Sequence, residues 1–132
     1  MSKKWLRAST ALWGAVIVLV LSGPGVAGHT GQDDSIELRT VVGCLTGDAD
    51  SWSLDRATEG EPTERAFTSE DELEGSRQRA LGSMTYRLLG VGEFGVAEHD
   101  GHKVQVKGLR LNIDGELRLN VTSFQHLSPD CR

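Results

Sequence analysis

Two imidazoles and a carboxylate, which are all possible metal ligands, lie close together in the sequence at His99-Asp100-Gly101-His102. Zinc takes three or four ligands that are held rigidly, and no other pair of His or Cys residues has ligand spacing. His29 lies near the start of the chain and His126 near its C-terminus. The segment therefore indicates a turn with a helix-terminal histidine, weak adventitious metal binding being the alternative. We expect no metal site and no cofactor.

A second group, Gly90-Val91-Gly92-Glu93-Phe94-Gly95, has the letters of the dinucleotide-binding G-x-G-x-x-G motif. Asp114 even follows at about the spacing that the acidic residue of that motif has. The motif binds a pyrophosphate at the start of a long helix inside a βαβ unit. Here only the short segment Glu93–Asp100 could be helical, and a strand follows it at once. We therefore expect no nucleotide site.

Two broad classes of function are not favoured by the residues present. The sequence has no G-x-S-x-G elbow and neither cysteine stands beside a histidine, so we expect no catalytic residues and no enzyme. The chain carries 14 Lys and Arg against 19 Asp and Glu, a formal charge of −5. Phosphate backbones are bound by clustered Lys and Arg, so nucleic acid is not an expected partner.

Residues 1–28 have the pattern of a secretory signal peptide. Its three parts are a charged start, an apolar run and a small-residue cleavage region, at Met1–Arg7, Ala11–Leu21 and Ser22–Gly28. As a helix the apolar run spans about 17 Å, short of the ~30 Å hydrocarbon core, so cleavage before Gly28 or His29 is favoured over an uncleaved anchor. We expect a disordered start over residues 29–35. We expect a secreted or periplasmic protein with no stable membrane insertion after cleavage.

Five runs of alternating apolar residues predict five strands. They are Ile36–Leu45, Trp52–Leu54, Met84–Leu88, Val104–Leu111 and Leu117–Val121. In the first run, the face of Val42 and Cys44 is taken as the inward one. Val41 and Leu45 then lie on the opposite face. In the fourth run the alternation changes parity after Gly108, which predicts a bulge or a bend.

The connection between the third and fourth strands predicts a short helix. Glu93–Asp100 has room for about two turns, and Gly101 would end them. Phe94 and Ala97 would face inward. No segment with a 3.6-residue period is long enough for a crossover helix, so a mostly antiparallel sheet is expected.

Residues 58–83 form an acidic insertion with few large apolar side chains. Residues 48–74 hold ten acidic residues and two arginines. The excess of acidic over basic residues in this segment equals the net negative charge of the chain without its leader, which has eleven basic and nineteen acidic residues. Ser69-Glu70-Asp71-Glu72 has the capping-box pattern and predicts a short helix, which Gly75 weakens. A solvated loop is favoured for the insertion over an acidic binding tail.

The segment Leu109–Val121 predicts a hairpin, whose register depends on the length of its loop. A two-residue loop at Asp114-Gly115 would oppose Leu111 to Arg118, mixing apolar with polar partners. A three-residue loop that begins at Ile113 would oppose Leu111 to Leu117 instead. We therefore predict the three-residue loop.

Cys44 and Cys131 are the only cysteines, and the leader would send them to an oxidising compartment. Cys131 lies just beyond the last predicted strand, which returns close to the first strand in the expected order. We predict a disulfide between them. Two free thiols, with Cys44 buried and inert, are the alternative.

The pattern over residues 40–131, apart from the acidic insertion, resembles a group of small secreted bacterial proteins with an OB-like β-barrel. The resemblance is carried by Val42-Gly43-Cys44-Leu45, Trp52-x-Leu54, Tyr86-x-Leu88-x-Gly90, His99-x-Gly101-His102-x-Val104-x-Val106-x-Gly108, Leu119-x-Val121-x-Ser123 and Cys131. It implies a mainly β domain over residues 36–132: a five-stranded, mostly antiparallel barrel with its short helix between strands three and four. The alternating apolar residues independently predict the same order of strands and helix.

By analogy with this fold, a ligand would bind the outward side of strands two and three. The polar candidates there are Asp55, Arg56, Thr85 and Arg87. We expect an exported binding or interaction module of the cell envelope whose partner is a protein, a peptide or a glycan. The alternative is a structural or stress-related envelope protein without a small-molecule ligand.

Overall fold

The computed structural model of the chain describes residues 36–132. The predicted signal peptide (1–28), its cleavage site and the start at 29–35 lie outside the described residues. The elements are β1 (Glu37–Asp48), β2 (Ser51–Ala57), β3 (Glu61–Pro62), α1 (Glu70–Gln78), β4 (Met84–Leu89), a 3₁₀ helix (Val96–His99), β5 (Lys103–Ile113) and β6 (Glu116–Ser128).

Five of the strands pair in a closed ring. β1 pairs antiparallel with β2 and with β5, β2 with β4, and β5 with β6. The ring closes where β4 and β6 pair in parallel, with Leu88 opposite Leu119. The two-residue β3 adds to the edge of β1 opposite Arg39 and Thr40. A mainly β, mostly antiparallel fold with five principal strands is therefore confirmed, and β3 is an additional sixth strand.

The core lies inside the ring, and it reverses the predicted faces of β1. Val41 and Leu45 belong to the central hydrophobic cluster together with Leu54, Tyr86 and Leu119. Val42 and Cys44 lie one residue away along the strand and therefore on its other face, where they are also buried. The assignment of Val42 and Cys44 to the inward face is wrong, because both faces of β1 are covered and alternation alone does not distinguish them.

The predicted irregularity at Gly108 is confirmed. The register between β5 and β6 shifts between Lys107 and Gly108. A Cβ at Gly108 would lie 2.7 Å from the carbonyl oxygen of Asn120, so the strands approach too closely there for any side chain. The extra residue of this bulge is Thr122 of β6, whereas β5 keeps an unbroken register with β1.

The hairpin between β5 and β6 has a two-residue loop, so the three-residue prediction is wrong. Ile113 pairs with Glu116, and Leu111 with Arg118. Asp114 and Gly115 have φ values of 53° and 83°, the left-handed pair of a type I′ turn, whose twist matches that of the flanking strands. The tip of the hairpin projects from the body, and Ile113 is 40 % exposed, so apolar partners across the strands are not required there.

The segment before β5 is a 3₁₀ helix of four residues rather than two α-helical turns. Phe94 packs against the core as predicted, but the second inward residue is Val96, whereas Ala97 is exposed. The difference follows from Gly95, whose φ of 60° breaks the helical path just before Val96. Gly101, with φ of 78°, follows the 3₁₀ helix and leads into β5.

The acidic insertion is built around the helix that its capping box predicts. The Ser69 hydroxyl accepts a hydrogen bond from the Glu72 amide, and the Glu72 carboxylate accepts one from the Ser69 amide. The helix α1 covers nine residues. Among residues 36–132, no helix is long and apolar enough to cross a membrane.

Two buried lysines of β5 attach the insertion to the ring, so it is held in place although most of its residues are exposed. Lys103 donates to the carbonyl oxygens of Arg77 and Arg79 at the end of α1. Lys107 donates to the carbonyl oxygens of Arg65 and Phe67 ahead of the helix and to the Glu72 carboxylate within its first turn. Four residues of strand span about 13 Å, close to the length of nine helical residues, so one lysine reaches each end of the helix.

Candidate functional site

The outward face of β2 and β4 carries three of the four predicted ligand residues. The Asp55 carboxylate accepts hydrogen bonds from the Thr85 hydroxyl at 3.3 Å and from the Thr46 hydroxyl at 2.8 Å. Arg87 lies two residues beyond Thr85 on the same face of β4 and is exposed, opposite Ser53 of β2. These side chains form a continuous polar face with an acceptor at one end and a guanidinium at the other.

Arg56, the fourth predicted residue, is engaged elsewhere. The register of β2 and β4 shifts between Leu54 and Ala57, and Arg56 within this bulge has a φ of 47°. Its guanidinium donates to the Cys131 carbonyl oxygen at 2.6 Å and contacts the Cys44 sulfur at 3.0 Å. Arg56 therefore holds the end of the chain against β2 instead of joining the polar face.

The predicted disulfide between Cys44 and Cys131 is confirmed. The two Cα atoms are 5.6 Å apart, and the bridge joins positions that are 87 residues apart in the sequence. Cys131 follows β6 by three residues, at the point where the chain returns to β1. A disulfide of this kind fits an oxidising compartment.

The glycine-rich segment from Gly90 to Gly95 forms a turn followed by the short 3₁₀ helix, so it does not lead into the long helix on which pyrophosphate binding depends. Its residues Val91 and Gly92 line an open depression of about 450 Å³ together with Trp52. The lining offers Asp50 as its one charged side chain. The depression has no convergent set of polar groups.

Three histidines converge at the end of the ring where β5 begins and β6 ends. His99 comes from the 3₁₀ helix, His102 from the residue before β5 and His126 from β6. The His126 ring stacks on His99 with 4.7 Å between centroids and lies 4.9 Å from His102. One ring nitrogen from each residue can be chosen so that all three lie within 4.8 Å of one another. This histidine cluster (His99, His102 and His126) is the site with the clearest chemistry in residues 36–132.

Backbone hydrogen bonds hold the histidine cluster in place. The His102 amide donates to the His99 carbonyl, which closes the turn. The Leu45 amide donates to the His102 carbonyl at 2.9 Å, and the Gly101 amide donates to the Leu45 carbonyl at 2.8 Å. Two hydrogen bonds to Leu45 of β1 therefore hold the turn. His126 pairs with Val104 across the β5–β6 ladder. All three imidazoles are thus attached to hydrogen-bonded backbone.

The surroundings of His126 favour its neutral imidazole. Burial, and then the neighbouring His99 and His102, hold the pKa of His126 below its usual range, although a backbone hydrogen bond at Ser128 opposes this. The Nδ1 atoms of His99 and His102 are buried without a hydrogen-bond partner in the described part of the chain. Neutral imidazoles with free nitrogen lone pairs are the form that ligates transition metals.

The sequence brings His99 and His102 together but does not by itself place His126 beside them. The position of His126 could have been found from the register of the β5–β6 hairpin. A two-residue loop at Asp114-Gly115 sets the pairing of the two strands, and the register shifts by one residue between Lys107 and Gly108. Counting along the strands from the loop then places position 126 opposite position 104, as in the structure. The three-residue loop predicted from the leucines shifts this register and conceals the convergence.

Comparisons of the chain with protein-family models, with curated proteins and with solved structures find no match. The resemblance to small secreted OB-like proteins therefore stays a prediction.

Proposed function

We propose that the protein is an exported binding module of the cell envelope, built as an OB-type barrel. The order of elements supports this fold: strands β1, β2 and β4, then the 3₁₀ helix, then β5 and β6. The parallel pairing of β4 with β6 closes these five strands into the ring that an OB-type barrel requires. The disulfide and the signal-peptide pattern support export.

The observation that carries the binding role is the polar face of β2 and β4. These are the second and third strands of the ring, the strands whose outward face binds ligands in OB folds. Asp55 lies between two hydroxyl groups, and Arg87 supplies a guanidinium with exposed donors. This arrangement suits a protein, peptide or glycan that presents both donors and acceptors along an extended segment.

Site-specific photo-crosslinking in the producing cell tests this proposal. A photoreactive residue at position 85 on the polar face is expected to form a discrete adduct. The same residue at position 112, where Asn112 is exposed on the β5–β6 hairpin, serves as the matched control. The Arg87→Glu substitution is expected to abolish the adduct at position 85, because it reverses the charge beside the reactive group.

The alternative, a structural envelope protein, predicts the opposite pattern. Adducts would be absent at position 85, or equal at positions 85 and 112 and insensitive to Arg87→Glu. Either result would contradict a ligand face on β2 and β4.

A further inference from the structure

The histidine cluster combines two properties that are not explained by the packing of the ring. Its three imidazoles are brought together from separate elements, and two of their Nδ1 atoms are buried with no partner among residues 36–132. A buried polar atom without a partner is destabilising relative to one that is satisfied. A metal ion that is bound through these Nδ1 atoms would remove that destabilisation.

The donor set selects the class of that ligand. Imidazole nitrogens suit Zn²⁺, Cu²⁺ and Ni²⁺, whereas Mg²⁺ and Ca²⁺ prefer oxygen. Asp100 is exposed within the turn, and both cysteines are joined in the disulfide, so the cluster offers three nitrogens and neither a thiolate nor a buried carboxylate. Three histidines and one open position form a known type of Zn²⁺ coordination.

The geometry is close to what tetrahedral Zn²⁺ needs. Zn–N bonds of about 2.0–2.1 Å place ligand nitrogens about 3.3 Å apart. The nitrogens of the cluster lie within 4.8 Å of one another, so the widest pair has to close by no more than about 1.5 Å. Rotation of the imidazoles about their side-chain bonds supplies a movement of this size without displacing the backbone, which the bonds to Leu45 and the pairing with Val104 hold.

We propose that His99, His102 and His126 form a binding site for a divalent transition metal ion of the Zn²⁺ class, with its fourth coordination position open. The ion joins the 3₁₀ helix, the start of β5 and the end of β6 at one point. This site is separate from the polar face of β2 and β4 and does not depend on the proposed ligand of that face.

Titration of the disulfide-bonded chain, free of any affinity tag, with Zn²⁺ at neutral pH tests the site. Calorimetry is expected to give one Zn²⁺ per chain and no binding of Ca²⁺. His126→Ala is expected to lower the Zn²⁺ affinity by more than about tenfold, since loss of even an outer-shell partner costs that much. His126 is exposed, so this variant keeps the fold, which far-ultraviolet circular dichroism checks.

The fourth histidine of the chain provides the matched control. His29→Ala is expected to leave the Zn²⁺ affinity unchanged. In nuclear magnetic resonance spectra, the imidazole signals of His99, His102 and His126 are expected to shift on Zn²⁺ addition, while that of His29 does not. The melting temperature is expected to rise by several degrees in the parent and not in His126→Ala.

Three results would overturn the proposal. They are the absence of Zn²⁺ binding, adventitious binding that is lost with His29→Ala but kept with His126→Ala, and Zn²⁺ binding that leaves the signals of the histidine cluster unchanged.

Discussion

The ammonium nitrogen of Lys107 lies 2.9 Å from a carboxylate oxygen of Glu72, and the Lys107 side chain is fully buried. This pair connects the outward face of β5 to the first turn of α1. The same carboxylate accepts a hydrogen bond from the Ser69 amide. The Glu72 side chain therefore both caps α1 and pairs with the buried ammonium group of Lys107. This contact therefore couples the stability of the acidic insertion to that of the ring, alongside the other hydrogen bonds of Lys103 and Lys107.

Lys107→Met is expected to destabilise the protein by about 3–5 kcal/mol, because it removes one partner of a buried pair and leaves three oxygens without their donor. Urea unfolding measures the change. The control is Arg77→Ala, which breaks the exposed pair of Arg77 with Glu74 on the same helix and is expected to cost less than about 1 kcal/mol. Equal losses in the two variants would show that burial of the Lys107 pair is unimportant.

Lys103 and Lys107 are the only lysines in residues 36–132, and they are 5 % and 0 % exposed. An amine-reactive reagent is therefore expected to leave both unmodified in the native protein and to modify both in urea. Peptide mapping by mass spectrometry checks this. Rapid native labelling of either lysine would show that the insertion opens readily from β5.

Stability is expected to fall in acid through Glu72. The Ser69 amide and the Lys107 ammonium hold the pKa of Glu72 at about 2, against an ordinary value of 4.5. The carboxylate therefore contributes its stabilisation above pH 4.5 and loses it as the pH falls from 4.5 towards 2. The difference in unfolding free energy between the parent and Glu72→Gln is expected to shrink over that range, and a constant difference would contradict the assignment.

The sequence predicted the strands, the bulge and the capping box because each rests on local chemistry that tertiary packing leaves intact. It predicted the disulfide because the chain has only two cysteines and a signal-peptide pattern. It failed where the acidic insertion covers the outer face of the ring. Alternation treats polar residues such as Lys103 and Lys107 as solvent-facing, and it assigns one apolar face to each strand. In β1 and β5 both faces are buried, so Val42 was misassigned and the role of the two lysines was not seen.

Alanine substitutions at two glycines with equally open surroundings are expected to change the free energy of unfolding in opposite directions. A Cβ at Gly75 or at Gly115 meets no atom within 4 Å, but only Gly115 has a left-handed φ, of 83°. Gly75→Ala is expected to stabilise the protein by about 0.5–1 kcal/mol, since alanine favours the helix. Gly115→Ala is expected to destabilise it by about 1–2 kcal/mol. Thermal unfolding of the two variants measures these changes. If both substitutions stabilise or both destabilise the protein, the left-handed φ of Gly115 does not decide its response.

The disulfide is expected to be a large part of the stability of the chain. Its closed loop spans 87 residues, for which the chain-entropy model gives about 4–5 kcal/mol, with measured values more often about 2–4 kcal/mol. The double variant Cys44→Ala, Cys131→Ala is expected to lose about 2–4 kcal/mol in urea unfolding. A loss below about 1 kcal/mol would mean that the unfolded chain gains little freedom when the bridge is absent.

Arg56 reports whether the bridge also positions the end of the chain. In the oxidised parent its guanidinium donates to the Cys131 carbonyl, so Arg56→Ala is expected to cost about 1 kcal/mol. Without the bridge, the segment after Ser128 is free to leave β2, and the same substitution is expected to cost only a few tenths of a kcal/mol. A double-mutant cycle over Arg56 and the two cysteines measures this coupling by urea unfolding. If Arg56→Ala costs the same with and without the disulfide, Arg56 acts independently of the bridge that it covers.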